Sequence, residues 1–282
     1  MEIKVLSQEV INQIAAGEVL ERPANLVKEL IENSLDAGST EIEIDIDLGG
    51  RYLKIQDNGK GMNEDDLALA LGRHSTSKIR KFSDLWSLKT YGFRGEALAS
   101  TAAVSEMSIT TRPAKKNQAF QVKSLYGKQG DVQTVSGNFG TQIVIDNLFT
   151  NVPARLKFLK SDAAENTQIF RVIKAFALIH PQVAFRVKQK GVLKLFYPAV
   201  NSNLERAKSV LDLQNLFEAE RNYSGIKVHA IFSSPKEVTK TSQQLWVFAQ
   251  KRWIQDRGLQ KAILDAYRNL LMHGEYPYCV VT

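Results

Sequence analysis

The chain has 282 residues, 44% hydrophobic and 24% charged, enough for two domains or one large one and unlike a disordered tail, a collagen-like chain or a coiled-coil rod. Its net charge of +7 hides an asymmetry: residues 1–66 carry 15 acidic and 6 basic side chains, and the remaining 216 carry 15 acidic and 31 basic. The basic later region suits a polyanionic partner such as nucleic acid, although a solvated lysine-rich surface explains the charge equally well. The first ten residues, MEIKVLSQEV, lack the basic and apolar regions of a secretory signal. An amphipathic helix is expected after Ser7, with Val10, Ile11 and Ile14 at helical spacing and Gly17 past its end. Pro23 suits a first helical turn, so a second helix is read over Ala24 to Asp36 before Ala37-Gly38. Leu26, Val27, Leu30, Ile31 and Ser34 form one stripe of it. Glu29, Asn33 and Asp36 or Ala37 form the stripe beside it, because residues three and four apart are surface neighbours.

Glu41 to Leu48 alternates strictly and reads as a strand with its four apolar residues on one face. Gly49-Gly50 then reads as a two-residue hairpin turn, and Arg51 to Asp57 returns with Leu53, Ile55 and Asp57 on the core side. A core-facing series that ends in a carboxylate needs a partner for it, because an unpaired buried acid costs several kcal/mol. Capping of a helix entering at Asn63 is the simplest receiver. Further helices are expected at 63–71, 95–103, 153–160, 163–179 and 203–211, and strands at 104–112, 118–124, 131–136, 140–147, 183–189 and 192–197. This order favours an α+β sandwich, one mostly antiparallel sheet with helices on one face. A second set follows: strands near 225–233 and 243–250, a helix near 257–272 and a strand at 276–282. The boundary is placed at Pro198 to Asn203, giving domains 1–203 and 204–282.

Ile169 to Val187 is the most apolar stretch, but Arg171, Lys174, His180, Pro181 and Arg186 interrupt it, and a spanning helix needs about 20 mainly apolar residues. No membrane association is expected. Cys279 is the single cysteine, so no internal disulfide is expected and a reducing, cytoplasmic location follows. His74, His180, His229 and His273 are too scattered for a zinc cluster.

The chain has no Walker loop, no G-x-G-x-x-G, no G-x-S-x-G elbow and no H-E-x-x-H. Four other segments interrupt its regular elements. Glu29 and Asn33 are i,i+4, a carboxylate that can take a proton one turn from a neutral oxygen that suits a hard cation, though such a pair is also an ordinary solvated helix face. DNGKGM (57–62) follows a strand; its glycines let a ligand approach the backbone, and an inward carboxylate can accept from an exocyclic amine. A tight turn explains it too. KTYGFRGEAL (89–98) opens onto a helix start, where free N–H groups favour phosphate and mobile glycines suit a lid, or simply a flexible loop. Gly140-Thr141 opens a strand whose hydroxyl can reach Asp57 or a bound base.

Taken in order, IAAGEVLERPANLVKELIENSLDAGST (14–40), DNGKGM (57–62), RHSTSKI (73–79), YGFRGEALAS (91–100) and GTQIVIDNLFTNVPARLKFLK (140–160) resemble the N-terminal region of MutL-type DNA mismatch-repair proteins. These belong to the GHKL ATPases, with type II topoisomerases, heat-shock chaperones and sensor histidine kinases. The asparagine, D-x-G-x-G and glycine-lid segments are common to the group, whereas GFRGEAL and NVPARLKFL are specific to MutL-like proteins. The resemblance implies a GHKL sandwich followed by a smaller α/β domain similar to a ribosomal-protein fold. It implies ATP and Mg2+ as ligands, with Glu29 the base that activates water, Asn33 the magnesium ligand and Ala37 bordering the nucleotide. Asp57 would accept from the adenine amino group, supported by Thr141, with Gly61 and Met62 lining the base pocket. Lys78 and the backbone of Gly92, Phe93, Arg94 and Gly95 would surround the phosphates.

Two departures accompany the resemblance. The family supplies a lysine to the γ-phosphate from a segment like D-V-N-V-H-P-x-K, and this sequence stops before it, at Tyr276 to Thr282, as expected of a truncated chain or a natural short form. Loss of one such electrostatic donor is worth roughly 10²–10³ in rate. Phe248-Ala-Gln-Lys251-Arg also stands where the family shows F-V-N-G-R, which alters a turn.

The leading expectation is a slow ATPase acting as a switch, in which nucleotide gates a lid and N-terminal homodimerisation. Contacts with DNA, a MutS-type mismatch-recognition protein and a nuclease or helicase would follow. A second is a DNA-binding module in which Arg257, Lys261 and Arg268, preceded by Lys251 and Arg252, contact phosphates without sequence preference. A third, another GHKL branch, lacks support from GFRGEAL and NVPARLKFL. The C-terminal dimerisation domain of the family, sometimes a metal-dependent endonuclease, has no counterpart in these residues, so no nicking is expected.

Overall fold

A computed structural model describes residues 20–72, 75, 91 and 95–282; the helix expected after Ser7 lies outside them. The first described helix, α1 (Pro23–Asp36), starts on its proline as the sequence requires. Its stripe is fully internal: Leu26, Val27 and Ile31 have no exposed surface and Leu30 has 1%. Strand β1 (Glu41–Asp47) follows and buries Ile42, Ile44 and Ile46, while its acidic residues point the other way.

The hairpin differs from the expectation. Asp47 pairs with Tyr52, so the connection is the four residues Leu48 to Arg51, wound as a 3-10 turn, and β2 runs Tyr52–Asp57. Leu48 adopts φ 51°, and the Asp47 carboxylate accepts from its amide at 2.6 Å, which ends the ladder one pair early. The register is the one a two-residue turn would set, so Leu53, Ile55 and Asp57 keep their inward face. The expected receiver of Asp57 is also corrected: the short helix α2 (Glu64–Leu69) is capped by Asn63, whose Oδ1 accepts from Asp66 N at 2.7 Å.

Helix α3 (Ala97–Ala103) leads to β3 (Glu106–Arg112), β4 (Ala119–Leu125), the short β5 (Lys128–Gln129) and β6 (Gln133–Val135), and β7 (Gly140–Asp146). Helices α4 (Pro153–Phe158) and α5 (Asp162–Ile179) precede β8 (Ala184–Gln189) and β9 (Val192–Tyr197). The strands form one sheet in the order β5-β4-β3-β7-β2-β1-β8-β9, with β6 on β4. β1 pairs in parallel with β8, while β2, β3, β4 and β7 pair antiparallel. Their inward residues, among them Ile109, Val122, Ile145, Phe185 and Val187, are fully buried together with Ile169 and Ile173 of α5. The opposite face is polar, with Lys188 Nζ 2.7 Å from Glu43 Oε1 and Asp45 opposite Lys54. This is the α+β sandwich read from the pattern.

The chain packs as two compact units, residues 1–173 with 183–196, and 174–182 with 197–282. The later segment of the second unit carries α6 (Asn203–Leu211), capped by Ser202, and a five-stranded sheet. In chain order its strands are β10 (Leu216–Tyr223), β11 (Ile226–Ser233), β13 (Leu245–Ala249), β14 (Arg252–Ile254) and β16 (Cys279–Val281), and in space they run β10-β11-β16-β13-β14. β10 was not expected. The strand expected at 276–282 is split, because Tyr276–Pro277 (β15) pairs with Val238–Thr239 (β12) in a separate ladder. Helix α7 spans Arg257–Ala266, not 257–272: the Tyr267 hydroxyl bonds Ser233 O at 2.7 Å, and Asn269 turns left-handed at φ 66°. Arg206, 1% exposed, donates to Pro181 O at 2.6 Å and Pro198 O at 2.9 Å, joining the two segments by which the chain enters this unit.

Candidate nucleotide site

Helix α1 presents two chemistries from adjacent stripes. Its outer stripe carries Glu29, whose side chain is 37% exposed, one turn before the partly exposed Asn33. Lys28 stands nearer Glu32 (2.8 Å) than Glu29 (3.5 Å), so the Glu29 carboxylate is only loosely held. Ala37 caps the helix through a bond from its amide to Asn33 O (3.0 Å), and Asp36 Oδ1 accepts from Tyr91 N at 3.3 Å.

The inner stripe ends in Ser34, 3% exposed, and meets Asp57 at the end of β2. Asp57 is 8% exposed; its Oδ2 accepts from Ser34 Oγ (3.0 Å) and its Oδ1 from Gly59 N (2.8 Å). Ser39 Oγ in turn donates to Ser34 O at 2.7 Å. Burial pushes the Asp57 carboxyl above the ordinary carboxylate range, and hydrogen bonds from Gly59, Ser34, Ser39 and Thr141 pull it back. The carboxylate is thus anchored by neutral donors.

The floor beside Asp57 comes from three strands. Thr141 lies opposite Asp57 in the β2–β7 register and opposite Thr111 in the β3–β7 register. Thr111 Oγ1 stands 3.0 Å from Thr141 Oγ1, 3.2 Å from Gly140 O and 2.9 Å from Met62 N. Gly61 holds φ +66°, and a Cβ there would meet Arg112 O at 2.5 Å, so the D-N-G-K-G loop is pressed against β3 as only glycine permits.

Glu29, Asn33, Ala37, Asp57, Gly61, Met62 and Thr141 are therefore carried by α1, its C-terminus and the adjoining strand ends. Gly95 (φ +64°) sits two residues before α3. Lys78, Gly92, Phe93 and Arg94 lie outside the described residues. Arg257 and Lys261 are exposed on α7 of the second unit, and Arg268 follows its end. The sequence reading missed Ser34, Ser39 and Thr111 as site residues. The available signal was Ser34, a hydroxyl within an otherwise apolar stripe. Among the described residues no group of three His, Cys, Asp or Glu could hold a metal, and no helix is long and apolar enough to cross a membrane.

Residues 22–138 match the family described as histidine kinase-, DNA gyrase B- and HSP90-like ATPase, and residues 209–282 match the C-terminal domain of DNA mismatch repair proteins. The DNA mismatch repair protein MutL of Citrifermentans bemidjiense is 41% identical over 99% of this chain and 44% of its own length. That of Pasteurella multocida is 40% identical, over the whole chain and 47% of its own length. The chain thus spans less than half of these curated relatives. The solved Aquifex aeolicus MutL ATPase domain complexed with ADP is 26% identical with a TM-score of 0.74, over 93% of this chain and 91% of that one. The N-terminal domain of a DNA repair protein, 23% identical with a TM-score of 0.78 over 96% of this chain and 86% of that one, shares the fold.

The sheet, its buried helical layer and the glycine-rich loop beside α1 define a GHKL ATPase domain, followed by an α/β unit matching the C-terminal domain of DNA mismatch repair proteins. With the likeness to MutL extending over essentially all of its residues, the chain belongs to the MutL family of DNA mismatch-repair proteins.

Proposed function

We propose that this chain binds ATP at the α1–β2–β7 site and hydrolyses it slowly, as a switch in mismatch repair. The observation that carries the reading is Asp57: a buried carboxylate held by a backbone amide and a hydroxyl, with the closely packed glycines Gly59, Gly61 and Gly140 around its strand end. An anchored acceptor of this kind suits the 6-amino group of adenine, with Thr141 supporting it and Gly61 and Met62 bordering the ring. Glu29, loosely paired and accessible on the neighbouring stripe, is the general base for the attacking water. Lys78 and the Gly92–Gly95 segment are assigned to the phosphates, and Gly95 leads into α3.

The donor set fits magnesium held chiefly by the nucleotide. Asn33 offers one neutral oxygen one turn from Glu29, and the described residues offer no three-carboxylate cage. Bound there, the ion would neutralise phosphate charge. Asn33 would hold it, and Glu29 takes the proton of the attacking water.

Nucleotide state is read out as homodimerisation and as contact with DNA, a MutS-type protein and a nuclease or helicase. The exposed Arg257, Lys261 and Arg268 suit phosphate contacts on DNA. The domains serving these tasks are residues 1–203 and 204–282. A reducing cytoplasm fits the lone, buried Cys279, whose thiol burial pushes up to about 12. The decisive experiment is Glu29→Ala: ATP binding stays near the wild-type level while hydrolysis is lost. Normal turnover in that variant would remove Glu29 from the mechanism.

A further inference from the structure

The mechanism above leaves the Ser34 hydroxyl without a task, yet its geometry is specific. Ser34 Oγ lies 3.0 Å from Asp57 Oδ2 and 3.1 Å from Leu30 O, the carbonyl one turn back on α1. A hydroxyl has one proton and two acceptor lone pairs, so it can serve only one of these oxygens as donor at a time. We propose that Ser34 is a specificity-determining switch for the purine: its hydroxyl donates to an ionised Asp57, or turns to Leu30 O and accepts the proton of a neutral Asp57. Both states keep every heavy atom in place: the Ser34 proton turns from Asp57 Oδ2 to Leu30 O, and Asp57 takes up one proton from solvent. The proposal rests on Asp57 being the residue that meets the base.

Among the described residues the groups bonded to Asp57 are uncharged. They are Ser34 from α1, Ser39 from the turn after it, Gly59 from its own loop and Thr141 from β7, and burial opposes them. Among the described residues no salt partner locks the carboxylate in its charged form, so loss of a single donor shifts its balance. An ionised Asp57 favours a 6-amino purine through a charge-assisted bond, roughly twice as strong as a neutral one, and repels a 6-oxo group. A neutral Asp57, its one proton held by Ser34, loses that charge-assisted bond and no longer repels the 6-oxo group.

The test compares ATP with inosine triphosphate by calorimetry from pH 5.5 to 8, in the whole chain and in Ser34→Ala. The two nucleotides share the triphosphate, so its own titration cancels in their affinity ratio. The expected result is a preference for ATP that declines as pH falls. In Ser34→Ala the decline shifts to higher pH, and at pH 7 the preference is roughly 10- to 150-fold weaker, the range of one lost hydrogen bond to a charged group. A ratio that is flat with pH in the wild type overturns the proposal, whether or not the variant folds. So does a folded variant with the wild-type profile. A wild-type chain that binds neither nucleotide overturns the pocket assignment itself, a failure distinct from a flat ratio.

Discussion

Gly140 stands where β7 begins, directly against the strand that ends in Asp57. A Cβ built there would lie 2.0 Å from Asp57 O and 2.8 Å from Asn58 Cα, both backbone atoms. Backbone cannot swing aside as a side-chain tip can, so Gly140→Ala must part β7 from β2 at the edge of the proposed base pocket. Its φ of +97° adds a second cost. An L-residue in a left-handed conformation loses about 1–2 kcal/mol, and overpacking a tight contact costs about 1–3 kcal/mol. The sum, about 2–5 kcal/mol, corresponds to a fall in melting temperature of about 5–15 °C for a chain of this size. Gly191→Ala supplies the control: φ is +75° there, but nothing lies within 4 Å of the added methyl. It should show the conformational cost alone, about 1–2 kcal/mol. Thermal unfolding by circular dichroism separates the two, and ATP titration reports whether the pocket suffers with the fold. If both variants melt within about a degree of each other, the close approach at Gly140 has no energetic weight.

Other predictions follow from the second unit. Burial first, then Lys251 and Arg206, depress His180 from its ordinary 6.5 to about 4. As pH falls below 6.5 the unfolded chain takes up the proton before the folded one does, so stability is complete above pH 6.5 and declines down to about pH 4, by about 2–3 kcal/mol. Urea titrations at pH 5 and 7 should show the loss, and His180→Gln should flatten it; an unchanged pH dependence in that variant assigns the effect elsewhere. Gln250 and Lys251 both adopt positive φ, 49° and 64°, in the two-residue turn between Ala249 and Arg252. Such turns favour Asn-Gly, so the double change Gln250→Asn, Lys251→Gly should raise stability by about 1 kcal/mol, and no rise in urea midpoint would refute the strain. Arg257→Glu should lower the salt slope of DNA binding by about one unit; an unaltered slope would take Arg257 off the phosphate backbone.

How much was legible depended on whether a segment's burial is one-sided. β1 and β2 bury one face each, so strict alternation revealed their register and, to within a residue, their extent, and the proline that opens α1 marked its start. β10 is exposed along both faces after Leu216, with Glu218, Glu220 and Arg221 among its residues, and so carried no alternation to read. α7 was overextended for the opposite reason: Leu270, Leu271 and Met272 continue an apolar pattern that the left-handed Asn269 has already ended. Arg206 sits wholly inside a unit that its charge alone would place at the surface, because two proline carbonyls, Pro181 O and Pro198 O, receive it.

The site shows the same logic at closer range. Asp57 breaks an apolar alternation and Ser34 breaks an apolar helical stripe, each an apparent error within its own element. They are one feature, since the two side chains bond each other at 3.0 Å. A buried polar atom must find a partner, so two exceptions on neighbouring elements are more economically read as a pair than as two local faults. Capping of the next helix was a local solution that needed no long-range contact, and the sequence held no measure of distance between positions 34 and 57 to displace it. Pairing the exceptions first, before assigning each to its own element, locates the floor of the proposed nucleotide site from the residues alone.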